Sequence, residues 1–510
     1  MSEQNQKIAD ERAIMKLANG SDIRGVATAG VADEKVNLTS EAANRIASGF
    51  VDFLAGKTKK APRDLRIAVG HDSRISASTL KMAIFEALTA AGIRPLDCGM
   101  ASTPAMFMST IFDETNMDGA IMITASHLPY NRNGLKFFTK KGGVEHEDIT
   151  AILKGACRAP ELKGNLTKTT VAEYDLIGLY TRHLRKKICE ELHDGDQPLK
   201  GMHIVVDAGN GAGGFFASKV LEPLGADTSG SRYLEPDGRF PNHIPNPENK
   251  QAMAAIREAV LTSKADLGLI FDTDVDRMSA VLETGEEISR NALIAMMAAI
   301  LAPDYPGSTI ITDSVTSDEL TIFLEQELGL KHLRYMRGYK NVINECIRKN
   351  HSGVVSPLAI ETSGHGALSE NYYLDDGAYL AVKLVIAAAK AFKQGKTLGA
   401  LIEKLGHPVE SREYRLKITG VEDFRDYGET VLETFEKRAA EKGIQIASPS
   451  YEGVRLVFAD GWALLRMSLH DPNMPLNVES RKEGGAVEIA DRVKELIADF
   501  DALDLSVFNK

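Results

Sequence analysis

The sequence predicts an α/β protein of three successive α/β domains with mixed sheets, followed by a smaller C-terminal α+β domain. Short β-branched runs alternate with longer helical patterns over most of the chain, as in α/β units. The length of 510 residues corresponds to roughly three to five domains, because a domain usually has about 100–200 residues. From about residue 407 the strands and helices follow one another in a different order, which is typical of an α+β module.

The composition is that of an ordinary globular protein, with 44% hydrophobic and 26% charged residues. These values exclude a disordered, a collagen-like or a disulfide-scaffold protein. The formal net charge of −11 argues against a broad electrostatic interaction with nucleic acid or anionic lipid. An anionic substrate would therefore need local basic groups to bind it.

The cysteine pattern and the apolar stretches predict a cytoplasmic protein. The four cysteines contain no C-x-x-C pair and are expected to be reduced thiols. Residues 1–16 carry mixed charges and lack the apolar core of a signal peptide. Residues 292–303, the most apolar stretch, are fewer than the ~20 residues that a membrane-spanning helix needs. We expect neither a membrane nor a nucleic-acid partner.

Five short apolar runs are predicted strands, and a polar loop follows each of them. The runs are residues 66–70, 119–124, 203–207, 267–271 and 308–312, and the first is followed by a predicted helix over residues 78–91. In open α/β sheets, ligands bind beyond the carboxyl ends of the strands. The loops after these runs are therefore the candidate sites.

The C-terminal module is predicted to begin with a strand and a long amphipathic helix. The expected elements are strands at residues 411–420, 454–458 and 463–468 and helices over residues 421–443 and 485–500. We place domain boundaries near residues 172, 289 and 406. The predicted domains are residues 1–172, 173–289, 290–406 and 407–510.

Three aspartates alternate directly after the predicted strand at residues 267–271. In an extended chain, residues i, i+2 and i+4 share one face, so Asp272, Asp274 and Asp276 converge. Carboxylates this close resist joint ionisation unless a cation lies among them, and all-oxygen ligands favour Mg²⁺, Ca²⁺ or Mn²⁺. An EF-hand is excluded because Arg277 occupies the position that requires glycine. A solvated acidic turn is the alternative to a metal site.

Ser126 and His127 follow the predicted strand at residues 119–124. A serine at a strand end beside a histidine is a nucleophile if it has an activating partner. Otherwise it caps an ordinary turn. The absence of a G-x-S-x-G motif counts against an α/β-hydrolase.

Residues 209–214 (GNGAGG) match the G-x-G-x-x-G pattern after a predicted strand. Asp227 lies 18 positions beyond Gly209, near the ~20 expected of a ribose-binding carboxylate. The same glycines also suit a tight turn with positive φ. The pattern leaves dinucleotide binding and a structural turn both open.

Two later segments also combine functional side chains. Residues 360–365 (IETSGH) bring a carboxylate, hydroxyls and an imidazole together, which suits recognition of sugar hydroxyls. Residues 466–471 (RMSLHD) offer an arginine, a serine and a histidine, which suit phosphate binding. An ordinary polar loop and an ordinary basic surface are the respective alternatives.

Taken in order, these segments resemble the motifs of the α-D-phosphohexomutase family, the phosphoglucomutases and phosphomannomutases. The phosphoserine motif T-[AG]-S-H-N-P with N-G-x-K matches residues 124–129 and 133–136. The other matches are D-[IG]-R-G at residues 22–25, G-x-D-x-R at 70–74, D-G-D-x-D-R at 272–277, G-E-x-S-G-H at 360–365 and R-x-S-x-T-x-P at 466–472. The resemblance spans nearly the whole chain and weakens the dinucleotide interpretation.

The resemblance implies four domains around a central cleft and a phosphorylated Ser126. It implies that Asp272, Asp274 and Asp276, with a phosphate oxygen on Ser126, hold Mg²⁺. The implied reaction interconverts hexose 1-phosphate and hexose 6-phosphate of glucose, mannose or both. Hexose 1,6-bisphosphate is the implied intermediate and activator.

The resemblance also implies roles for other residues. Lys136 would move protons, with Arg24 and His365 as neighbours, His127 would flank the nucleophile, and Arg277 would orient the phosphoserine. Glu361 and Ser363 would bind sugar O3 and O4. The phosphate clamp would consist of Arg466, Ser468 and His470, assisted by Lys340.

Several residues depart from the family motifs, namely Leu128, Thr273, Ile360, Leu469 and His470. His470 stands where the family has threonine, so this loop loses a hydroxyl, although a protonated imidazole can donate to phosphate. The alternatives to the main reading are a phosphoglucosamine mutase, a sugar-phosphate phosphatase and a sugar-phosphate sensor. The chain is expected to be a monomer or a homodimer.

Overall fold

A computed structural model describes residues 11–167, 170–468 and 471–509. Its internal contacts divide the chain into two compact units. Unit 1 comprises the described residues up to 289 together with residues 363–400. Unit 2 comprises residues 290–362 and the described residues from 401 onward. The four domain boundaries drawn from the sequence remain a prediction.

The first sheet of unit 1 is mixed, as the sequence predicts. Its strands are β1 (Ala18–Asn19), β2 (Asp22–Val26), β3 (Ile67–His71), β4 (Leu96–Met100), β5 (Gly119–Ile123), β6 (Arg132–Thr139), β7 (Gly142–Gly143) and β8 (Ala172–Glu173). The order is β1-β2-β6-β5-β3-β4-β8, and β7 pairs with β6. Strand β3 is parallel to β4 and β5, whereas β6 is antiparallel to β2 and β5.

Several helices in the described part of the chain accompany this first sheet. They are α1 (Ser40–Thr58), α2 (Ala77–Ala90), α3 (Thr103–Met108), α4 (His146–Arg158) and α5 (Leu176–Leu192). Helix α1 begins where the Thr39 side chain accepts a hydrogen bond from the amide of Ala42, which satisfies a donor of the first turn. A core cluster lies between α1, α2 and α4 and the sheet, where the rings of Phe50 and Phe137 pack 4.7 Å apart.

The second sheet of unit 1 has the order β12-β11-β10-β9. The strands are β9 (Ile204–Asp207), β10 (Leu267–Phe271), β11 (Met278–Leu282) and β12 (Glu287–Ile288), accompanied by a π-helical turn (Phe216–Leu221) and by α6 (Lys250–Ser263). Strands β9 and β10 are parallel, and β10 and β11 are antiparallel. Every residue of β10 is buried, which explains its continuous apolar sequence.

The third α/β segment is divided between the two units. Unit 2 contains α7 (Asn291–Leu301), β13 (Thr309–Asp313), α8 (Asp318–Ile322) with a π-helical turn (Phe323–Glu327), β14 (Lys331–Tyr335), α9 (Tyr339–His351) and β15 (Leu358–Ile360). Strands β14 and β15 flank β13 in parallel. Unit 1 contains the antiparallel pair β16 (Gly366–Leu368) and β17 (Leu374–Asp375), followed by α10 (Gly377–Lys393). Helix α10 packs on α5, β10 and β11.

The C-terminal module of unit 2 is an antiparallel sheet with two helices. Its elements are β18 (Glu410–Lys417), α11 (Phe424–Glu441), β19 (Gln445–Ile446), β20 (Val454–Phe458), β21 (Gly461–Leu465), β22 (Asn473–Ser480) and α12 (Gly485–Leu496). The strand order is β18-β22-β21-β20-β19. Three α/β regions and a C-terminal sheet module thus confirm the predicted fold class.

Several element limits differ from the prediction, and many strands were not predicted, among them β2, β4, β6, β11 and β22. Strand β21 ends at Leu465, so Arg466 and Ser468 lie in a loop rather than in the strand expected at residues 463–468. Strand β22 was not predicted, because Pro475 and several polar residues interrupt its apolar pattern. In the described residues, no helix is both long enough and apolar enough to span a bilayer.

Candidate active site

Three buried carboxylates lie in the loop between β10 and β11. Asp272, Asp274 and Asp276 are each at most 1% exposed, and their carboxylate oxygens lie within 4.8 Å of one another. Burial and the charges of the neighbouring aspartates raise the pKa of Asp272 and that of Asp274. Burial also disfavours the ionised form of Asp276, but Lys136 and other nearby cations outweigh burial and lower its pKa. The protein cations around the three aspartates therefore do not fully compensate the negative charge that the carboxylates would carry when all are ionised.

The free oxygens of this group fit a small divalent cation. Within the described residues, Oδ1 of Asp274 and Oδ1 of Asp276 are buried without a hydrogen-bond donor. Unpaired buried acceptors of this kind are rare because they lose their water without compensation. A ligand set of carboxylate oxygens suits Mg²⁺, Mn²⁺ or Ca²⁺. The acidic triad can therefore hold a metal ion, and a solvated acidic turn is excluded by its burial.

The shape of the aspartate loop is held by contacts from other elements. Val275 has φ of +67°, a conformation that is rare for a β-branched residue. Its carbonyl accepts a hydrogen bond of 3.1 Å from the amide of Gly377 at the start of α10. The amide of Thr103 donates to the carbonyl of Asp274 at 2.8 Å, and the Thr103 hydroxyl donates to the carboxylate of Asp274.

Ser126 faces this aspartate loop from the end of β5. Its side chain is buried, with 1% of the residue exposed, and its φ is +50°. Oγ donates to Oδ2 of Asp272 at 2.9 Å and lies 3.2 Å from Nδ1 of His127. Burial and the cations Arg277 and Arg24 lower the pKa of His127 to about 2. The imidazole beside Ser126 is therefore neutral.

Lys136 and Arg24 lie beside the carboxylates. Nζ of Lys136 donates to Oδ2 of Asp276 at 2.8 Å and lies 3.9 Å from carboxylate oxygens of Asp22 and Asp274. Nη2 of Arg24 donates to the same Asp22 oxygen at 2.9 Å. Strand β6 carries Lys136 and pairs with β2, which carries Arg24. The predicted proximity of Lys136 and Arg24 is therefore observed.

Arg277 and His365 complete the group in unit 1. Their backbones form an isolated antiparallel bridge. Nε of Arg277 lies 3.9 Å from Oδ2 of Asp272. Nδ1 of His365 lies 2.5 Å from Oδ2 of Asp375 and 3.9 Å from Oδ1 of Asp276. Ser363 is a buried residue of the same unit.

The glycine-rich segment at residues 209–214 packs against the aspartate loop. A Cβ atom on Gly211 would lie 2.7 Å from the Cα and the carbonyl oxygen of Thr273. Gly211 therefore permits close packing against the backbone of the aspartate loop. Asn210 has φ of +60°, so the segment is the tight turn that was the alternative to dinucleotide binding.

The other predicted binding residues lie in unit 2. Oε1 of Glu361 accepts a hydrogen bond of 2.7 Å from the amide of Gly338, just before Lys340 in the first turn of α9. Arg337 lies in the same loop, with Nε 3.6 Å from Oδ2 of the buried Asp313. Thr362 donates to that Asp313 oxygen at 2.6 Å.

Arg466 is joined to this group through Glu452. Nη1 of Arg466 lies 3.6 Å from Oε1 of Glu452, and the amide of Arg337 donates to Oε2 of Glu452 at 3.1 Å. Burial, which outweighs the nearby acids, lowers the pKa of Arg466. The Ser468 hydroxyl accepts a hydrogen bond of 3.2 Å from the amide of Asp471. Leu469 and His470 lie outside the described residues.

Several residues that contact the site were not singled out by the sequence motifs. In unit 1 they include Thr103, and in unit 2 they include Asp313, Arg337 and Glu452. Asp22 belongs to the motif at residues 22–25, but no role was predicted for it. Asp375 follows the sugar motif within ten positions, and its contact with His365 gives it a role that the motif alone does not show. No local pattern marks Thr103, because it meets Asp274 only through the fold.

The fold and this site define an α/β protein in which an acidic triad that can hold a metal ion faces a buried serine. The family description "Phosphoglucomutase/phosphomannomutase, alpha/beta/alpha domain I" matches residues 15–161. The descriptions of domains II and III match residues 179–285 and 289–408. The chain belongs to the phosphoglucomutase/phosphomannomutase family and is therefore an isomerase that transfers phosphate.

Individual relatives agree with this assignment. A phosphomannomutase/phosphoglucomutase of Pseudomonas putida is 28% identical over 86% of this chain and 88% of its own. A phosphoglucomutase of Neisseria gonorrhoeae is 29% identical over 85% of this chain and 88% of its own. The solved structure of a phosphoglucomutase/phosphomannomutase family protein from Burkholderia thailandensis has the same fold, with a TM-score of 0.78 at 23% identity, covering 96% of this chain and 98% of its own.

Proposed function

We propose that this enzyme interconverts hexose 1-phosphate and hexose 6-phosphate and that Ser126 carries the phosphate between the two positions. The observation that carries the proposal is the hydrogen bond of 2.9 Å from Ser126 Oγ to Asp272 Oδ2. It places a buried hydroxyl at the edge of the acidic triad. Phosphoryl transfer depends on positioning and on charge neutralisation more than on covalent chemistry, and this arrangement supplies both.

The reaction begins with Ser126 phosphorylated. A free hydroxyl of the hexose phosphate attacks the phosphorus, the bond from phosphorus to Oγ breaks, and the hydroxyl proton passes from the sugar oxygen by way of Lys136 to the released Oγ. The product of this half-reaction is hexose 1,6-bisphosphate, which is also the proposed activator. The bisphosphate then reverses its orientation in the site. Oγ attacks the other phosphate, and the Oγ proton is transferred to the sugar oxygen that is released.

We assign Asp272, Asp274, Asp276 and a phosphate oxygen on Ser126 as the ligands of Mg²⁺. A bound Mg²⁺ would neutralise negative charge on the transferring phosphate. The unpaired oxygens of Asp274 and Asp276 support this assignment.

Lys136 is assigned the proton transfer, with Arg24 and His365 as its neighbours. Its ammonium group lies among the carboxylates of Asp22, Asp274 and Asp276. Asp375 orients His365 through their contact of 2.5 Å. His127 is neutral and within 3.2 Å of Oγ, so it helps to orient the Ser126 side chain, and Arg277 orients the phosphate on it.

The phosphate that is not transferred is assigned to Arg466, Ser468 and His470, assisted by Lys340. The contact of Arg466 with Glu452 supports this assignment, because it fixes a guanidinium in a loop that follows a strand. Glu361 and Ser363 are assigned to sugar O3 and O4. The hydroxyl at C2 is then not recognised, and glucose and mannose phosphates are both accepted.

The proposed location is the cytoplasm. All four cysteines lie in the described part of the chain, and each is a free thiol, which agrees with a reducing compartment.

A coupled assay with glucose 1-phosphate tests the function, with and without added glucose 1,6-bisphosphate. Isomerisation stimulated by the bisphosphate supports the mutase. Release of inorganic phosphate indicates a phosphatase instead, and absence of turnover indicates a sugar-phosphate sensor. Replacing glucose 1-phosphate with the mannose and glucosamine 1-phosphates compares kcat/KM for the three sugars.

Two variants identify the carrier. Ser126→Ala should abolish isomerisation, whereas Ser78→Ala, which changes an exposed serine on α2, should leave it unchanged. Activity of Ser126→Ala close to that of the unmodified enzyme would refute the role of Ser126.

A further inference from the structure

Arg74 is a fully buried arginine whose guanidinium faces the backbone of the loop that carries Ser126. Its two terminal nitrogens donate to four carbonyl groups of one short segment. Nη2 donates to the carbonyls of Ser126 at 2.5 Å and Leu128 at 2.6 Å. Nη1 donates to the carbonyls of Pro129 at 2.8 Å and Arg132 at 2.9 Å. Arg74 is 2% exposed, so its guanidinium has exchanged water for these carbonyls.

The other side of Arg74 is held in place by two contacts. Oδ1 of Asp72 accepts a hydrogen bond of 2.9 Å from the Arg74 amide, and Oδ2 lies 3.4 Å from Nε. The guanidinium lies over the ring of Phe240, with its central carbon 5.2 Å from the ring centroid. Such cation–π contacts orient an arginine as well as attract it.

The loop that provides Phe240 follows β9 and packs tightly against the Arg74 backbone. A Cβ atom on Gly238 would lie 2.3 Å from the carbonyl oxygen of Ser73 and 2.7 Å from the Arg74 Cα. Only glycine permits this approach. The loop that carries Gly238 and Phe240 follows β9, a strand of the same sheet as the aspartate loop. This sheet therefore also supports Arg74, on the side away from the Ser126 loop.

We infer that Arg74 is the positioning residue that sets the conformation of the Ser126 loop, with Phe240 and Gly238 as its support. The inference rests on the proposed function of Ser126. Ser126 has positive φ, which a residue other than glycine adopts only when its surroundings impose it. The guanidinium bond to the Ser126 carbonyl imposes that conformation and so directs Oγ toward Asp272.

The shape of the guanidinium explains why this position holds arginine. A guanidinium offers five donors in a planar fork, whereas a lysine ammonium is a single point with three donors. Four carbonyls along one turn can be bound by the two ends of a fork but not by one ammonium. Arg74→Lys therefore keeps the positive charge but cannot keep the hydrogen bonds to all four carbonyls.

The central test measures kcat and KM for glucose 1-phosphate, with saturating bisphosphate, for Arg74→Lys and for the matched control Arg45→Lys. Arg45 also donates from a single guanidinium to three carbonyls, those of Ala156, Cys157 and Ala159. None of these carbonyls belongs to the loop that carries Ser126. We expect Arg74→Lys to lower kcat about 100-fold, since small misplacements of a reacting group cost that much, and to leave KM within about twofold. Arg45→Lys should change kcat by less than about twofold, although both variants lose hydrogen bonds of the same kind.

A second readout separates positioning from a general loss of structure. The ³¹P resonance of the phosphoserine should shift in Arg74→Lys and not in Arg45→Lys, while circular dichroism reports that both are folded. If kcat of folded Arg74→Lys equals that of Arg45→Lys, or if the two resonances coincide, the inference is wrong.

Phe240→Leu decides the question if Arg74→Lys does not fold. It removes the ring beneath the guanidinium and keeps an apolar side chain of similar reach. We expect kcat to fall about fivefold, in proportion to a cation–π contact, with a shifted ³¹P resonance and an unchanged KM. An unchanged kcat and resonance would overturn the inference. If Ser126→Ala itself retains activity, the proposed function fails instead, and this outcome is distinct from a normal rate in the Arg74 and Phe240 variants.

Discussion

Ser126 Oγ donates a hydrogen bond of 2.9 Å to Oδ2 of Asp272, which lies 146 positions further along the chain. The two residues follow β5 and β10, which belong to different sheets of unit 1. Each loop is polar and buried, and neither alone defines a site. Their meeting places a hydroxyl beside three carboxylates, and this relationship underlies the proposed transfer of phosphate through Ser126.

Asp274→Asn should stabilise the metal-free protein and weaken its response to Mg²⁺. Because burial and the other aspartates raise the pKa of Asp274, its ionised form at neutral pH costs folding free energy, and a neutral amide removes that cost. We expect the free energy of unfolding in EDTA to rise by about 1–2 kcal/mol, and the increase in Tm on adding Mg²⁺ to shrink. Thermal unfolding with EDTA and with Mg²⁺ measures both effects.

The control for Asp274→Asn is Asp52→Asn on the exposed face of α1. It should leave unfolding in EDTA and the response to Mg²⁺ unchanged. If Asp274→Asn instead destabilises the metal-free protein and keeps the full response to Mg²⁺, the aspartate loop is not the cation site.

Gly377→Ala should displace the aspartate loop. A Cβ atom at this position would lie 2.7 Å from the carbonyl carbon of Arg277 and 2.9 Å from the carbonyl oxygen of Val275, both backbone atoms that cannot rotate away. We expect a loss of about 1–3 kcal/mol in stability and a fall of at least about tenfold in kcat/KM. Denaturant unfolding and the coupled assay provide the two measurements.

Gly56→Ala is the matched substitution in a helix. No atom lies within 4 Å of a Cβ built on Gly56, so alanine should add about 0.5–1 kcal/mol of stability through helix propensity. Its kcat/KM should not change. Equal effects of the two alanines would show that α10 does not hold the aspartate loop.

Stability should fall as the pH rises through the titration of Asp376. Burial raises the pKa of Asp376 to about 6, although hydrogen bonds from Tyr180 and Asn371 oppose the shift. The folded state thus binds a proton more tightly than the unfolded state, in which an aspartate titrates near 3.9. The stabilisation is complete below about pH 4 and is lost as the pH rises toward and past 6, amounting to roughly 3 kcal/mol.

Asp376→Asn isolates this contribution from other titrating groups. As the pH rises from 4.5 to 7.5, the unmodified protein should lose stability relative to the variant. Urea unfolding of both proteins measures this change in the difference between their free energies of unfolding. A difference that stays constant over this range would contradict the raised pKa of Asp376.

The fold class could be predicted because its evidence is local. Continuous apolar strands such as β10 and the alternation of strands and helices predict α/β domains without knowledge of tertiary contacts. Strand β22 was missed because Pro475 and polar residues obscure its period, although its pairing on both sides makes it a central strand. The division of the third α/β segment between two units was also hidden, since it depends on α10 packing against α5.

The candidate site was predictable where its residues are adjacent in sequence. Asp272, Asp274 and Asp276 follow one strand, and their alternation is enough to place them together. The roles of Thr103 and Arg74 could not be predicted in this way, because each acts on a loop distant in sequence. Glu452 was missed for the same reason, since it reaches Arg466 and Arg337 only after the C-terminal sheet has formed.

The claim that Ser126 carries the phosphate is tested most directly by mass spectrometry of the peptide that contains Ser126, before and after brief exposure of the enzyme to its substrates. After incubation with hexose 1,6-bisphosphate that carries labelled phosphate, we expect one labelled phosphate on Ser126. A pulse of unlabelled hexose 1-phosphate should then move this label from Ser126 into the sugar at the rate of turnover. Full isomerase activity with no phosphate on Ser126, or with a phosphate that never exchanges, would show that Ser126 does not carry the phosphate.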